Sequence, residues 1–183
     1  PTVIENALYT MSFSGRDRAG NRSERAIVSE FQYDFTPPEL TWISPKSGDA
    51  VNHKNIYFTN SELLESGTIV WTWIGGISDP DSIHAMALIG NELSGSEFAV
   101  GEITNLPPLV DGSIYNISYI AYDPAGNESN HILIEDVLYD ITQPQITIAY
   151  PLARSISLTS SVTYTLSEDL LEGQFKWIWL GGI

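Results

Sequence analysis

The chain of 183 residues has 23 acidic and 8 basic residues, which give it a formal net charge of −15 at pH 7. Such an acidic chain repels nucleic acid and anionic lipid at long range, so nucleic acid is excluded as a partner. The 43% hydrophobic content is enough to build a core, and no apolar run reaches the length of a membrane span. Cysteine is absent, so the fold is expected to depend on apolar burial, helped by a metal or by neighbouring repeats.

The first predicted element is a strand that ends in a tight turn, in residues 9–21. The turn contains Asp17 and Asn21, whose side chains can bond nearby backbone, and Gly20, which accepts a positive φ. Asp17 could also be a metal ligand, but a strand connection needs this turn with or without a metal. We therefore interpret the Asp-x-Ala-Gly-Asn pattern first as a turn.

A proline-marked segment follows, Tyr33-Asp-Phe-Thr-Pro-Pro38. Proline fixes its own φ and favours extended backbone in the residue before it, so this segment predicts a short, stiff joint. A similar segment, Tyr139-Asp-Ile-Thr-Gln-Pro144, predicts a second joint. The joints divide the chain into residues 1–36, 37–142 and 143–183. Because the sequence repeats itself, as shown by the alignment given after the strands, these are the C-terminal part of one repeat, a complete repeat and the N-terminal part of the next.

Short apolar segments separated by turn signals fill the complete repeat, and no long helical period is present. In the third segment, alternation places Ile69, Trp71 and Trp73 on one face, which we predict to be the inward face. A similar segment occurs near the C-terminal end, and by the same alternation it should turn Phe175, Trp177 and Trp179 inward. The predicted strands are 40–44, 55–59, 68–74, 84–89, 96–100, 114–122 and 132–139.

The sequence also repeats itself. Shifting it by 106 positions aligns residues 1–77 with 107–183 without a gap, and 24 of the 77 aligned positions are identical. This displacement is called the sequence shift below. Background usage would give roughly five identities. Many short strands with a repeated sequence predict an all-β fold of tandem two-sheet sandwiches with a period of 106 residues.

The segment from Leu109 to Asn127, with its Asp-Gly, Tyr-x-Ile-x-Tyr-x-Ala-x-Asp and Ala-Gly-Asn, is followed by Tyr-Asp-x-Thr-x-Pro. This pattern resembles the bacterial Ig-like and fibronectin-type-III-like repeats of large surface proteins and adhesins. The resemblance implies that Tyr9 and Tyr115 form tyrosine corners and that Trp71 or Trp73 is the core tryptophan of the third strand. Gly20 and Gly126 would hold the turns that follow the penultimate strand.

Four carboxylates are candidate ligands for structural Ca²⁺, which binds six to eight hard oxygen atoms. Asp34 and Asp140 lie at the two predicted joints, while Asp79 and Asp81 lie in one loop near the end of a sheet. A cation at a joint would neutralise repulsion and stiffen an array. The repeated Ser61-Glu62 pair could supply another ligand, but we interpret it as a turn or edge-strand device.

Catalytic groups are not apparent in the sequence. The three histidines, His53, His84 and His131, are expected to be solvated surface residues, since none belongs to the part of the repeat that recurs. No nucleophile elbow, phosphate loop or His-x-x-x-His spacing is present. The chain is therefore not expected to be an enzyme, and no cofactor other than structural Ca²⁺ is expected.

These observations predict a non-catalytic structural or adhesive segment of a long extracellular protein or fibre on a bacterial cell surface. Its expected partners are neighbouring repeats, with a host, cell-surface or glycan ligand as a further possibility. The alternative is a carbohydrate-binding or accessory module of a secreted enzyme, which needs an exposed aromatic platform. Trp42 and Tyr122 are candidates for that platform, although strand packing explains both more simply.

Overall fold

The structure, a computed structural model, describes residues 2–94 and 106–182, and the regular secondary structure of this part of the chain is almost entirely β-strand. It divides into two units, Pro1–Ile141 and Thr142–Ile183. The first unit contains nine strands and a short 3₁₀ helix, Gly90–Leu93, among its described residues. Its strands are β1 Leu8–Phe13, β2 Ala26–Gln32, β3 Leu40–Ser44, β4 Ala50–Val51, β5 Tyr57–Asn60, β6 Ser66–Gly76, β7 Ile83–Ala87, β8 Ser113–Tyr122 and β9 Ile132–Tyr139.

The central element of the first unit is a five-stranded sheet in the order β4-β9-β8-β6-β7. Every pair of neighbouring strands in this sheet is antiparallel except β4 and β9, which are parallel. The short β4 has no counterpart among the predicted strands. A second sheet, β3–β5, contributes Leu40 and Phe58 to the same buried cluster. The two sheets thus form a sandwich-like arrangement around one core, and the predicted strand 96–100 lies outside the described residues.

The core is formed mainly by the alternating inward positions of β6 and β8. Trp71, Tyr115 and Ile117 are each at most 1% exposed. The rings of Phe58 and Tyr119 lie 4.9 Å apart between the two sheets. Trp73 is only partly buried and packs against the cluster from its margin. The predicted inward face of β6 is therefore confirmed for Ile69 and Trp71, with Trp73 at the margin of the core.

The first 36 residues contribute the hairpin β1–β2, whose pairing matches that of β8–β9. Tyr9 pairs with Phe31 and Met11 with Val28, with a bulge between the two pairs. The pairs related to these by the sequence shift, Tyr115–Val137 and Ile117–Ile134, also flank a bulge. Left-handed backbone conformations recur with them, at Glu30 (φ 60°) and at Asp136 (φ 58°).

The second unit contains one hairpin, β10 Ile146–Tyr150 with β11 Thr163–Leu166. Its register, from Ile146–Leu166 to Tyr150–Thr163, is that of β3–β5 moved by the sequence shift. A cis peptide bond precedes a proline at Ser44-Pro45 and again at Tyr150-Pro151. Each of these local features therefore occurs twice along the chain.

The prediction that Phe175, Trp177 and Trp179 face inward is wrong in this unit. Trp177 and Trp179 are 68% and 82% exposed, and residues 173–182 form no strand. The physical reason is the missing partner, because no counterpart of β8 exists within the described part of the second unit to pair with this segment. None of the described residues belongs to a helix long and apolar enough to cross a bilayer.

The burial pattern predicts how core and surface substitutions differ in the first unit. Phe58→Ala should lower the free energy of unfolding by about 3–5 kcal/mol, because it removes a ring packed between two sheets. Ile83→Ala, at a position 60% exposed, should change it by less than about 0.5 kcal/mol. Urea unfolding followed by tryptophan fluorescence measures both. Similar losses for the two variants would contradict this description of the core.

Candidate functional site

The segment that follows β2 is fixed by hydrogen bonds on both sides. The backbone N–H of Phe35 donates to Glu5 Oε1 at 2.9 Å, and the Asn127 side chain donates to the carbonyl oxygen of Asp34 at 3.1 Å. On the other side of Pro38, which is fully buried, Leu40 N–H donates to Asn130 Oδ1 at 2.6 Å. The segment from Asp34 to Leu40 is therefore a fixed connection between the hairpin β1–β2 and the sandwich.

The turn after β8 has the geometry that its sequence suggests. Asp123 Oδ1 accepts a hydrogen bond from Asn127 N–H, and Oδ2 accepts one from Asn127 Nδ2, both at 2.8 Å. Gly126 adopts a φ of 90°, which a residue with a Cβ rarely does. The same bonds occur between Asp17 and Asn21, with Gly20 at a φ of 93°. In both turns the aspartate carboxylate accepts hydrogen bonds from the backbone and the side chain of the asparagine four residues later.

The structure brings three carboxylates together beside this connection: Asp34, Glu62 and Asp123, called here the joint carboxylates. One oxygen atom from each lies within 4.8 Å of the others. Asp123 is buried, and the other two are half-buried. Asp34 is one of the four predicted ligands, whereas Asp123 belongs to the predicted turn and Glu62 to the Ser-Glu pair interpreted as a turn or edge-strand device. A set of carboxylate oxygens at this spacing suits a hard divalent cation such as Ca²⁺.

The ionisation of the joint carboxylates reflects their crowding. Burial raises the pKa of Glu62, and the negative charges of Asp34, Asp123 and Glu5 raise it further. Burial also opposes ionisation of Asp123, but the hydrogen bonds from Asn127 outweigh it and lower the pKa of Asp123. The folded chain therefore disfavours negative charge on Glu62 and favours it on Asp123.

The other predicted metal ligands lie elsewhere. Asp140 donates its backbone N–H to the carbonyl oxygen of Val51 at 2.9 Å, and Asp81 donates its own to Asp79 Oδ1 at 3.1 Å. Within residues 2–94 and 106–182, neither they nor Asp79 share a group of three closely spaced ligand atoms. The predicted pair Asp79 and Asp81 is therefore not assembled into a carboxylate cluster.

Asp79 instead takes part in a buried polar network with His84 and Tyr115. Its Oδ2 lies 2.7 Å from His84 Nε2 and accepts a hydrogen bond from the Tyr115 hydroxyl at 2.6 Å. Burial opposes its ionisation, but these hydrogen bonds dominate and lower the pKa of Asp79. The prediction of a solvated His84 is wrong, because alternation along β7 turns this side chain inward. His53 and His131 are exposed, as predicted.

The Tyr115 hydroxyl has a second role. It accepts a hydrogen bond from Val110 N–H at 3.0 Å, five residues upstream, which is the geometry of a tyrosine corner. Burial and the bond to Asp79 raise the pKa of Tyr115. In the hairpin β1–β2, Tyr9 accepts the corresponding bond from Ile4 N–H at 2.7 Å.

The aromatic candidates for a sugar platform have other contacts. Trp42 donates its indole N–H to the carbonyl oxygen of Pro45 at 2.6 Å and stacks on Phe58 with ring centroids 6.4 Å apart. Tyr122, more than a third exposed, donates to Glu128 Oε2 at 2.9 Å. Trp42 therefore packs into the sandwich rather than presenting an open face.

No protein-family model matches the chain, and no curated protein matches it either. The functional interpretation therefore depends on the geometry of the described residues.

Sequence reasoning found Asp34 but not the complete cluster. The available signal was the recurrence of Ser-Glu at positions 61–62 and 167–168, since a turn alone does not require a Glu there. What the sequence could not show is that β5–β6 and the turn after β8 converge beside Asp34. For His84 the available signal was its alternation with Met86 and Leu88, which are buried on the same face.

The Asp79 network predicts a pH-dependent stability. Because its pKa is lowered from an ordinary value of 3.8, Asp79 stabilises the fold above that value, and this stabilisation is lost as the pH falls through the lowered pKa. Asp79→Asn should therefore cost about 1–3 kcal/mol at pH 7, and this cost should shrink below about pH 4. Chemical denaturation of both proteins between pH 3 and 7 measures the difference. Asp81→Asn is the matched control, and a cost that stays constant with pH would contradict the prediction.

Proposed function

We propose that this chain is a non-catalytic structural segment of an extracellular bacterial surface protein or fibre. The segment is built from tandem Ig-like repeats with a period of 106 residues, which is the sequence shift. In this proposal residues 37–142 form one complete repeat, and residues 1–36 and 143–183 belong to adjacent ones. The segment acts as a stiff spacer that holds a binding domain or a lateral partner away from the cell surface. Its first partners are neighbouring repeats.

Recurrence of local structure supports the repeat. Hairpin registers, bulges and tyrosine hydroxyl contacts each occur in pairs whose members are related by the sequence shift. Recurring backbone geometry at a fixed separation is expected when one supersecondary unit is used more than once. The acidic composition suits a soluble extracellular protein, although it does not identify a partner.

The observation that carries the spacer proposal is the connection between β2 and β3. Its backbone is bonded to Glu5 on one side and to Asn127 and Asn130 on the other. A linker held in this way has few free torsions, because Pro37 and Pro38 fix two more. A rod of sandwiches requires such joints, whereas a recognition module on a flexible tether does not.

A cation at the joint carboxylates would add to this stiffness, and Ca²⁺ is the ion we propose. Asp34 belongs to the connection, while Glu62 and Asp123 belong to the sandwich, so a shared ion would link the two. The three side chains would supply part of the shell of six to eight oxygens, with water supplying the remainder. Asp140 and Glu168 hold the corresponding sequence positions of the next joint.

Exchanging Glu62 for a neutral amide should separate repulsion from cation binding. Without a cation, the raised pKa means that Glu62 reduces stability as the pH rises above its ordinary value of 4.5. Glu62→Gln should therefore raise the thermal midpoint in chelator at pH 7 and abolish the response to Ca²⁺. In the unaltered chain, Ca²⁺ at a hundredfold excess over Kd should raise the free energy of unfolding by about 2.7 kcal/mol.

Differential scanning calorimetry in Ca²⁺ and in chelator tests this expectation. Glu65→Gln is the matched control, since it neutralises an exposed acid in the same connection between β5 and β6 and should leave the response unchanged. Equal midpoints with and without Ca²⁺ in the unaltered chain would remove the cation from the proposal but leave the spacer.

The spacer itself predicts a single distance across the joint. The chain has no cysteine, so in the double variant Arg18→Cys and Ser47→Cys spin labels attach at these two positions alone. The distribution of distances between the two labels should be narrow. Glu5→Ala should broaden it, since Phe35 N–H then loses its acceptor, while Glu24→Ala should not. A distribution in the unaltered joint as broad as that of a chain with Gly at positions 35–37 would contradict the spacer proposal.

A further inference from the structure

Half of the basic residues of this acidic chain lie in one place, the connection between β1 and β2. Residues 1–36 contain five acidic and four basic residues, whereas residues 37–183 contain 18 and four. The four basic residues of the first segment are all exposed, and all are arginines: Arg16, Arg18, Arg22 and Arg25. Residues 14–25 are called here the arginine loop. This loop is a local basic surface on a chain that is otherwise strongly acidic.

The complete repeat shows that these positions stay exposed in a whole sandwich. Under the sequence shift the four arginines correspond to Tyr122, Pro124, Glu128 and His131. All four counterparts are exposed, although the complete repeat has its own sheets and a joint beside this turn. We therefore expect the arginines to face solvent when the rest of their own repeat is present.

Two of the arginines face each other across paired backbone. Arg16 and Arg22 form an isolated antiparallel bridge. Their counterparts Tyr122 and Glu128 form the same bridge, and there the Tyr122 hydroxyl donates to Glu128 Oε2 at 2.9 Å. Like charges directly opposite each other on paired strands reduce stability. The same turn thus carries a favourable pair in one copy and a repulsive pair in the other.

The acidic groups of the chain do not relieve this repulsion. Both carboxylate oxygens of Asp17 accept hydrogen bonds from Asn21, which hold the turn. In the part of the chain that the structure describes, no carboxylate forms an ion pair with an arginine of the loop. Six residues line one open depression here: Ser14, Gly15, Arg16, Arg22, Ser23 and Arg25. This depression is therefore lined by positive charge and by hydroxyl groups.

The chemistry of the depression favours an anion with several oxygen atoms. A guanidinium group presents its N–H donors in a planar fork, and one such fork uses both oxygens of a carboxylate. A sulfate ester has three terminal oxygens, so it can accept hydrogen bonds from two guanidinium groups at once. Arg16 and Arg22 supply two such groups at directly opposed positions. A sulfate ester between them would remove the repulsion that the pair creates.

The surrounding charge favours a compact anion over a long nucleic acid. At physiological ionic strength charges interact over about 8 Å, so the arginine loop can attract an anion although the whole chain is acidic. A nucleic acid carries a continuous line of phosphates and depends on many contacts with basic residues. Beyond the loop it would meet a surface with 18 acids and four bases in residues 37–183. A short sulfated glycan needs only the loop.

We propose that the arginine loop binds a sulfated glycan, with one sulfate ester held jointly by Arg16 and Arg22. Arg25 and the serine hydroxyls of the depression contact the adjoining part of the glycan. This site differs from an aromatic sugar platform, and the complete repeat lacks it because Tyr122 and Glu128 occupy the corresponding positions. The inference goes beyond the spacer and rests on the proposed repeat only for the comparison of these counterparts.

Isothermal titration calorimetry with a heparin hexasaccharide tests the proposal on the unaltered chain. One hexasaccharide should bind per chain, and binding should weaken as the salt concentration rises. The double variant Arg16→Tyr with Arg22→Glu installs the pair that the complete repeat uses, so its turn should fold. Binding should weaken at least about tenfold, because the charge-assisted hydrogen bonds are lost. Its thermal midpoint without glycan should not fall, since the like charges are gone.

Three controls sharpen this test. Arg154→Gln removes an exposed arginine outside the loop and should leave binding unchanged. A fully desulfated hexasaccharide, which keeps its carboxylates, should bind at least about tenfold more weakly than the sulfated one. A single-stranded DNA of equal charge should compete poorly.

Four results would each overturn the proposal. These are no binding at low salt, unchanged binding by the double variant, equal affinity for the desulfated sugar, and tighter binding of the DNA.

Failure of this site can be told apart from failure of the spacer. The spin-label distance reports on the joint within residues 1–141 and is measured without glycan. A narrow distance in a chain that does not bind the hexasaccharide would overturn the glycan site and retain the spacer. A broad distance in a chain that binds it through Arg16 and Arg22 would do the reverse.

Discussion

The pairing of β6 with β8 is the interaction on which the rest of the first unit depends. It places Trp71 against Tyr115, with ring centroids 6.0 Å apart at an interplanar angle of 81°, an edge-to-face contact. Tyr115 then carries its hydroxyl to Asp79 and Val110, which fixes the loop after β6 and the approach to β8. One strand pair thus organises the apolar core, the buried polar network and the tyrosine corner.

The same pairing explains why similar sequences have different environments in one chain. Trp71 and Trp177 occupy equivalent sequence positions, yet the first is buried and the second exposed. A strand face is buried only when a neighbouring strand and an opposing sheet cover it, so the sequence of the strand is not sufficient. Burial here is a property of a complete set of strands.

This distinction decides how much could be predicted from sequence. Alternation and turn chemistry indicated the class of fold, the bounds of β9 and the inward face of β6, because these depend on neighbours along the chain. Strand β4 was missed because two residues carry no period, and burial of His84 was missed because it depends on Asp79 and Tyr115. The position of Glu62 in the cluster was missed for the same reason, since its neighbours Asp34 and Asp123 come from distant parts of the chain.

The joint carboxylates illustrate how a stiff connection can conflict with charge. Fixing Asp34 beside the turn of Asp123 brings like charges together, and the rise in the pKa of Glu62 is the electrostatic consequence. Hydrogen bonds from Asn127 satisfy Asp123 but leave the repulsion on Glu62. A proton or a cation can relieve that repulsion, and at neutral pH protons are scarce. The hydrogen bonds that fix the connection therefore also bring these like charges together.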